Sequence, residues 1–174
     1  LKVMNEGKNM LNLNLPTDFN AAHYLVDRHV EEGRGERPAI LFEDEIHTYD
    51  QLRRRVNRAG NMLGSLGVEM ENRVMLLVRD SPQMVFSFLG AIKVGAVPIP
   101  TNILMKSPDF LHVLNDSRAK VLIVDSVFLP EIEKILEQAL YCRHVVVVGG
   151  GDHEHHRYED LTDDAAKELD SAHN

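Results

Sequence analysis

Four short apolar runs, separated by helical patterns, constrain this chain more than anything else in it. Val74 to Val78, Ala96 to Ile99, Val121 to Val124 and Val145 to Val148 are continuously apolar. A strand buried on both faces reads this way, whereas a strand with one wet face alternates. Between the runs, apolar positions recur near the 3.6-residue period of a helix. This alternation predicts a parallel sheet with helices on both faces and right-handed crossovers. The expected fold class is α/β: a Rossmann-like parallel sheet flanked by helices, preceded by a helix and a β-hairpin.

The local signals agree with that plan. Asn20 to Glu32 predicts a helix, with Ala22, Leu25, Val26 and Val30 on one face and Gly33, Gly35 and Pro38 ending it. Ala39 to Phe42 and Glu45 to Tyr49 predict two strands around a tight Glu43-Asp44 turn. Thr48 with Gln51 matches a capping box. The helix that follows places Leu52, Val56, Ala59, Leu63 and Leu66 on one face, and Gly67 stops it. Ser81-Pro82 starts a helix that runs to about Val94 and ends at Gly95. Ser107-Pro108 repeats the device for a helix ending near Ser117. Pro130 to Leu140 predicts one more helix, with Ile132, Ile135, Leu136 and Ala139 inward. Residues 1–18 are expected to form an extended, Asn-rich lead, and residues 19–151 the α/β unit. Residues 152–174 form a polar tail with one helix over about Asp163 to Asp170.

The helix after Pro82 is peculiar. Met84, Val85, Phe86, Phe88, Leu89, Ala91, Ile92 and Val94 leave almost no polar face. A helix apolar all round needs cover on more than one side. Either it lies centrally on the sheet between neighbours, or a further part of the protein covers it.

Composition excludes several classes. At 174 residues the chain has room for one core, or one core plus an appendage. Its longest apolar stretch, Met84 to Pro100, is broken by Lys93, Gly95 and Pro98, so no membrane span is expected. No secretory signal pattern opens it. The single Cys142 permits no internal disulfide and fits a reducing, cytoplasmic setting. Nineteen Lys and Arg against 27 Asp and Glu argue against a nucleic-acid surface, which lives on phosphate neutralisation. The cluster Arg53, Arg54, Arg55 and Arg58 reads as the wet face of an amphipathic helix.

Ligands of an open α/β sheet sit at the carboxyl ends of its strands. Here those loops are Arg79 to Ser81, Pro100 to Ser107, Asp125 to Leu129 and Gly149 to Asp152. The candidate ligand-side residues are Ser81, Thr101, Asn102 and Asp125. The helix N-termini at Ser81 and Ser107 offer free N–H groups, as any capped helix does. No loop contains G-x-G-x-x-G or G-x-x-x-x-G-K-[ST]. Gly149 to Gly151 lacks a following Lys and reads as a flexible strand exit. Asp152, His153, Glu154, His155 and His156 are adjacent, which suits a solvated loop better than a tetrahedral ligand set. Asp80 has no evident His partner, and no carboxylate pair shows acid–base spacing. The residues alone therefore assign no catalytic group, no cofactor ligand and no metal ligand.

Longer stretches carry a family likeness. "FNAAHYLVDRHVEEGRGERPAILFEDEIHTYDQLRRRVNRAGNMLGSLGVEMENRV" and "RDSPQMVFSFLGAIKVGAVPIPTNILMKSPDFLHVLNDSRAKVLIVD" resemble the opening of a benzoate–CoA ligase. Such proteins are the aryl-CoA branch of the adenylate-forming acyl-CoA synthetases. "GAVPIP" and the strand before Asp125 are features of the superfamily, while Phe19 to Ala22 and Asp27 to Pro38 point to the aryl branch. The resemblance implies the N-terminal subdomain of an acyl-adenylate-forming fold. It also implies a parent enzyme that uses Mg-ATP and CoA to turn an aromatic carboxylate into its thioester. The family's Lys-bearing Ser/Thr/Gly-rich phosphate loop has no match in residues 1–174, nor have its acyl pocket and adenylation lysine. The implied chain is thus a piece of a larger ligase, inactive alone, on which the remaining chain packs. The Asn-rich lead and the His-rich loop match no family motif. Two other readings stand beside it. One is a free-standing Rossmann-like binding module using the loops around Thr101, Asn102 and Asp125. The other is a flavodoxin-like or receiver-like domain, which would need an acidic cluster around Asp80 or Asp125 that the sequence lacks.

Overall fold

The structure, a computed structural model, describes residues 19–172. The extended lead expected over residues 1–18 lies outside them. Residues 21–31 are helical, with a π-helical centre at His23–Asp27 and a final α turn, α1, at Arg28–Glu31. Strands β1 (Pro38–Phe42) and β2 (Glu45–Thr48) form the hairpin. Then follow α2 (Tyr49–Ser65), β3 (Arg73–Leu77), α3 (Pro82–Lys93), β4 (Val97–Pro100), α4 (Ser107–Ser117) and β5 (Val121–Asp125). The chain continues through α5 (Leu129–Glu133), β6 (His144–Val148), β7 (His156–Arg157) and α6 (Tyr158–Asp164). The main sheet has the order β4-β3-β5-β6-β7, and every pairing in it is parallel.

The continuous apolar runs have the expected cause. Alternate side chains of the central strands enter two separate cores. Val74, Leu76, Val121, Ile123 and Val146 face Met62, Leu63 and Ala91 of α2 and α3. Met75, Leu77, Leu122, Val124 and Val147 face Phe110, Leu114, Leu129 and Ile132 of α4 and α5. The helix signals hold at several ends. Thr48 Oγ1 accepts the Gln51 N–H at 3.3 Å, while Gln51 Oε1 accepts the Thr48 N–H at 2.9 Å. Gly67 adopts φ +73°, and the Val68 N–H reaches back to Leu63 O at 3.0 Å, closing α2.

Five details differ from the sequence reading. The sheet has a fifth strand, β7, whose two polar residues carry no apolar run. The tail helix is α6, earlier than Asp163 to Asp170, because burial of Tyr158 and Thr162 anchors it there. The helix expected over Pro130 to Leu140 breaks after Glu133 and resumes as a 3₁₀ turn at Leu136–Gln138. Ile132 and Ile135 stay buried across the break, since a three-residue spacing suits the 3₁₀ geometry too. Ser107 is the first residue of α4 rather than its cap. Its hydroxyl donates to Glu131 Oε2 at 2.5 Å, and Asp109 Oδ2 accepts the Lys106 N–H at 3.2 Å instead. Lys93, which looked like an interruption of an apolar stretch, is 3% exposed.

This chain itself covers α3, which favours the first of the two coverings considered above. Phe86 and Leu89 pack with Ala22, Val26 and Val56, while Met84, Phe88 and Val94 turn to the sheet. The α2–α3 crossing is tight: a Cβ on Gly90 would lie 2.9 Å from both Ala59 Cβ and Gly60 N. Beside it the Lys93 ammonium donates to both Asp27 carboxylate oxygens at 2.8 Å and to Asn57 Oδ1 at 2.7 Å. The tail is tied to the same place. Asn57 Nδ2 donates to Lys167 O at 2.8 Å, and Asn20 Nδ2 to Ala172 O at 3.1 Å. On the wet side of α2, Arg54 pairs with Asp50 at 2.6 Å and Arg58 with Asp163 at 3.0 Å.

Removing one partner of a buried ion pair strands the other charge. Lys93→Met is therefore expected to destabilise the chain by about 3–5 kcal/mol in urea unfolding. An unchanged midpoint would contradict the pairing. A second expectation concerns Tyr158, whose hydroxyl accepts a 3.2 Å hydrogen bond from Ser87 Oγ. Burial pushes this phenol up to about 12. The raised value means that stability held below the ordinary tyrosine range, about 10, is lost as pH rises through the folded value. Phenolate absorbance should show one of the four tyrosines ionising last, together with unfolding. Ionisation of Tyr158 alongside the other three would refute that.

Candidate functional site

All the strands of a parallel sheet end at one edge, so its exit loops gather there. β3 leaves through Arg79, Asp80 and Ser81, β4 through Thr101 and Asn102, β5 at Asp125, and β6 at Gly149. Because β3 lies next to β5, with Leu77 beside Val124, their exits meet. The Arg79 guanidinium grips Asp125 with two hydrogen bonds, Nε to Oδ2 at 2.6 Å and Nη2 to Oδ1 at 3.3 Å. Such a planar fork fixes both partners in orientation. Asp125 is buried, and its Oδ1 also accepts the Val127 N–H at 3.4 Å. The hydrogen bond from Arg79, and then the charge of the carboxylate, raise the guanidinium pKa above its ordinary value.

The other candidates serve their own loops. Ser81 Oγ caps α3 by accepting the Met84 N–H at 3.4 Å. Thr101 extends the sheet, its N–H donating to Leu76 O at 2.9 Å and its hydroxyl to Ile99 O at 3.1 Å. Asn102 Oδ1 accepts the Leu104 N–H at 3.0 Å in a local turn. The structure therefore brings one candidate, Asp125, against a residue the sequence reading passed over. Arg79 stood in a named loop, but its pairing depends on strand order, which no local pattern records.

Gly149 is needed where it stands. Its φ is +90°, and a Cβ there would meet Ser126 Oγ at 3.2 Å. Its N–H is engaged by Glu159 Oε1 at 3.2 Å. The His-rich loop does not converge. His155 turns to Glu133 at 3.8 Å, whereas His156 enters β7 with its ring 5.5 Å from that of His144. Among the described residues, no group of three or more His, Cys, Asp or Glu side chains is placed to hold a metal ion. Burial raises the Cys142 thiol pKa, the opposite of what a nucleophilic thiolate needs.

These residues do not make a Mg-ATP site. Both Asp125 oxygens accept hydrogen bonds from the Arg79 guanidinium, whose charge would oppose a metal ion at that carboxylate. What the edge offers is the cations Arg79 and Lys106 and the N-terminal N–H groups of α3, suited to positioning an anionic group.

A family model described as AMP-binding enzyme matches residues 26–173. The chain belongs to the AMP-binding enzyme family. It is 39% identical over 132 residues to a 4-hydroxybenzoate–CoA/benzoate–CoA ligase of Rhodopseudomonas palustris, covering 76% of this chain and 24% of that protein. To the benzoate–CoA ligase of Thauera aromatica it is 37% identical over 139 residues, 79% of this chain and 26% of the relative. The anthranilate CoA ligase AuaEII, solved with anthranoyl-AMP, superposes with a TM-score of 0.87 at 36% identity. That alignment covers 91% of this chain and 30% of the ligase. The fold is thus that of the adenylate-forming ligases, and the chain spans about a quarter of the length of the curated relatives it matches.

Within this AMP-binding enzyme chain, Asp125 holds the β5 exit. Asp125→Ala removes the cap on the Val127 N–H and should cost about 1 kcal/mol. Hydrogen exchange at Val127 should quicken, with β6 unaffected. Unaltered protection at Val127 would show that Asp125 does not organise this loop.

Proposed function

We propose that this chain is the N-terminal scaffold of an aryl-CoA ligase. In this reading the whole enzyme converts benzoate or a related aromatic acid, ATP and CoA into aryl-CoA, AMP and pyrophosphate through an acyl-adenylate. The carrying observation is the joint agreement of sequence and backbone with three ligases named for aromatic acids. A carboxylate is a poor electrophile, and adenylation gives it a good leaving group. Magnesium would supply charge stabilisation on the transferring phosphorus. The residues present here hold the frame: Arg79 and Asp125 lock two exit loops, and Ser81 fixes the start of α3. Ser81, Thr101, Asn102 and Asp125 line the edge that would face the remaining chain, in the cytoplasm. Residues 1–174 contain no Lys-bearing Ser/Thr/Gly-rich loop, so the chain alone is taken to be inactive.

One observation favours a second reading, a free-standing binding module. The chain covers its own most apolar helix and pins its own tail. Saturable binding of ATP, benzoate or CoA to the purified chain in calorimetry would support it.

The ligase reading is tested on the protein made from the complete reading frame that contains these residues. ATP–pyrophosphate exchange should be faster with benzoate, 4-hydroxybenzoate or anthranilate than with acetate, by about 100-fold in kcat/KM. A preference for acetate would overturn the aryl assignment.

A further inference from the structure

We infer that the opposite, amino-terminal edge of the sheet carries a second site, for a small anion bearing a diphosphate group. The inference stands apart from the ligase reading. A cavity of about 310 Å³ opens there, lined by Arg73, Arg118, Lys120 and Arg143 together with Glu69 and Tyr141.

The sheet itself assembles these cations. Arg73 opens β3, Lys120 precedes β5 and Arg143 precedes β6, and these three strands are neighbours. The Lys120 N–H donates to Arg73 O at 2.9 Å, and the Arg143 N–H to Lys120 O at 2.8 Å. Three like charges thus stand abreast on adjacent strands, an arrangement that is unfavourable by itself. Arg118, the left-handed residue that closes α4, adds a fourth and lies 5.5 Å from the Tyr141 ring centroid.

Their partners set these cations apart. The chain has 27 carboxylate side chains and a net charge of −8, so acidic partners are plentiful. Arg54, Arg58, Arg79 and Lys93 each have one. Among the described residues, none of the four cavity cations forms a salt bridge, Glu69 notwithstanding. Two are engaged by neutral oxygens. Arg73 Nη1 donates to Glu71 O at 2.8 Å, and Lys120 Nζ donates to Gly67 O and, at 3.3 Å, to Asn72 Oδ1. The Lys120 contact with Gly67 O lies just past the end of α2, where a cation offsets the negative carbonyl end of the helix. The Arg118 and Arg143 guanidiniums have no hydrogen-bond partner among the described residues. Their planar forks match phosphate oxygens, and a cleft lined by one sign of charge concentrates the opposite ion. The volume sits at the lower end for small-molecule clefts, about 300–1,000 Å³, which suits a diphosphate rather than a whole cofactor.

Calorimetric titration of the 174-residue chain with inorganic pyrophosphate at low ionic strength tests this. One-to-one binding with a Kd below about 1 mM is expected, weakening as salt is added. The double variant Arg118→Gln/Arg143→Gln should bind at least about tenfold more weakly, having lost two charge-assisted contacts. Arg53→Gln/Arg54→Gln removes the same charge from α2 and should change binding by less than about twofold. Should the first double variant unfold by circular dichroism, Arg143→Gln alone reads the same loss. Absence of pyrophosphate binding, or an equal loss in both double variants, overturns the proposal. ATP binding more tightly than pyrophosphate would assign the site to a nucleotide's phosphate chain, and the reverse to free diphosphate. AMP binding as tightly as either would refute the diphosphate assignment.

Discussion

One buried ammonium organises the helical layer. Lys93 Nζ has three hydrogens and three acceptors, two on Asp27 and one on Asn57, so nothing on it is left unsatisfied. A buried charge without partners is expensive, and a buried pair adds little net stability over well-packed apolar groups. What it adds is direction. The contact is made only when the helix of residues 21–31, α2 and α3 sit in one relative position. The Gly60–Gly90 crossing then closes without room for a Cβ. With α3 so placed, its Ser81-capped end meets the carboxyl edge of the sheet, where β3 and β5 exit.

The tail depends on the same node. Asn57 and Asn61 both donate to carbonyls of residues 166–168, and Leu169 reaches over Gly60. A segment that looks merely polar is thereby held along α2 by side-chain amides. Its hydrogen bonds span more than a hundred residues of sequence, which no local window can see.

That contrast explains what the sequence made legible. β3 to β6, the hairpin, the capping box at Thr48 and the stop at Gly67 follow from periodicity and backbone chemistry, and all appear in the structure. The likeness to aryl-CoA ligases was legible in the same residues. β7 was not, because His156 and Arg157 gain strand geometry only from β6 beside them. The break after Glu133 was hidden because Ile132 and Ile135 fit either kind of helix. At the candidate site, Asp125 was readable as a strand-end residue. Its bond to Arg79 was not, since parallel strand order is a tertiary fact.

Fold and chemistry are separable in such a chain. At the carboxyl edge Ser81, Thr101, Asn102 and Asp125 are each engaged by a cap, a turn or an ion pair. The proposal at the centre is that this chain supplies the frame of a ligase and not its catalysis. Benzoate-dependent ATP–pyrophosphate exchange by the homogeneous 174-residue chain tests it most directly. No exchange above the protein-free rate is predicted, from material whose circular dichroism shows it folded. Exchange that follows the folded chain through purification would contradict the account.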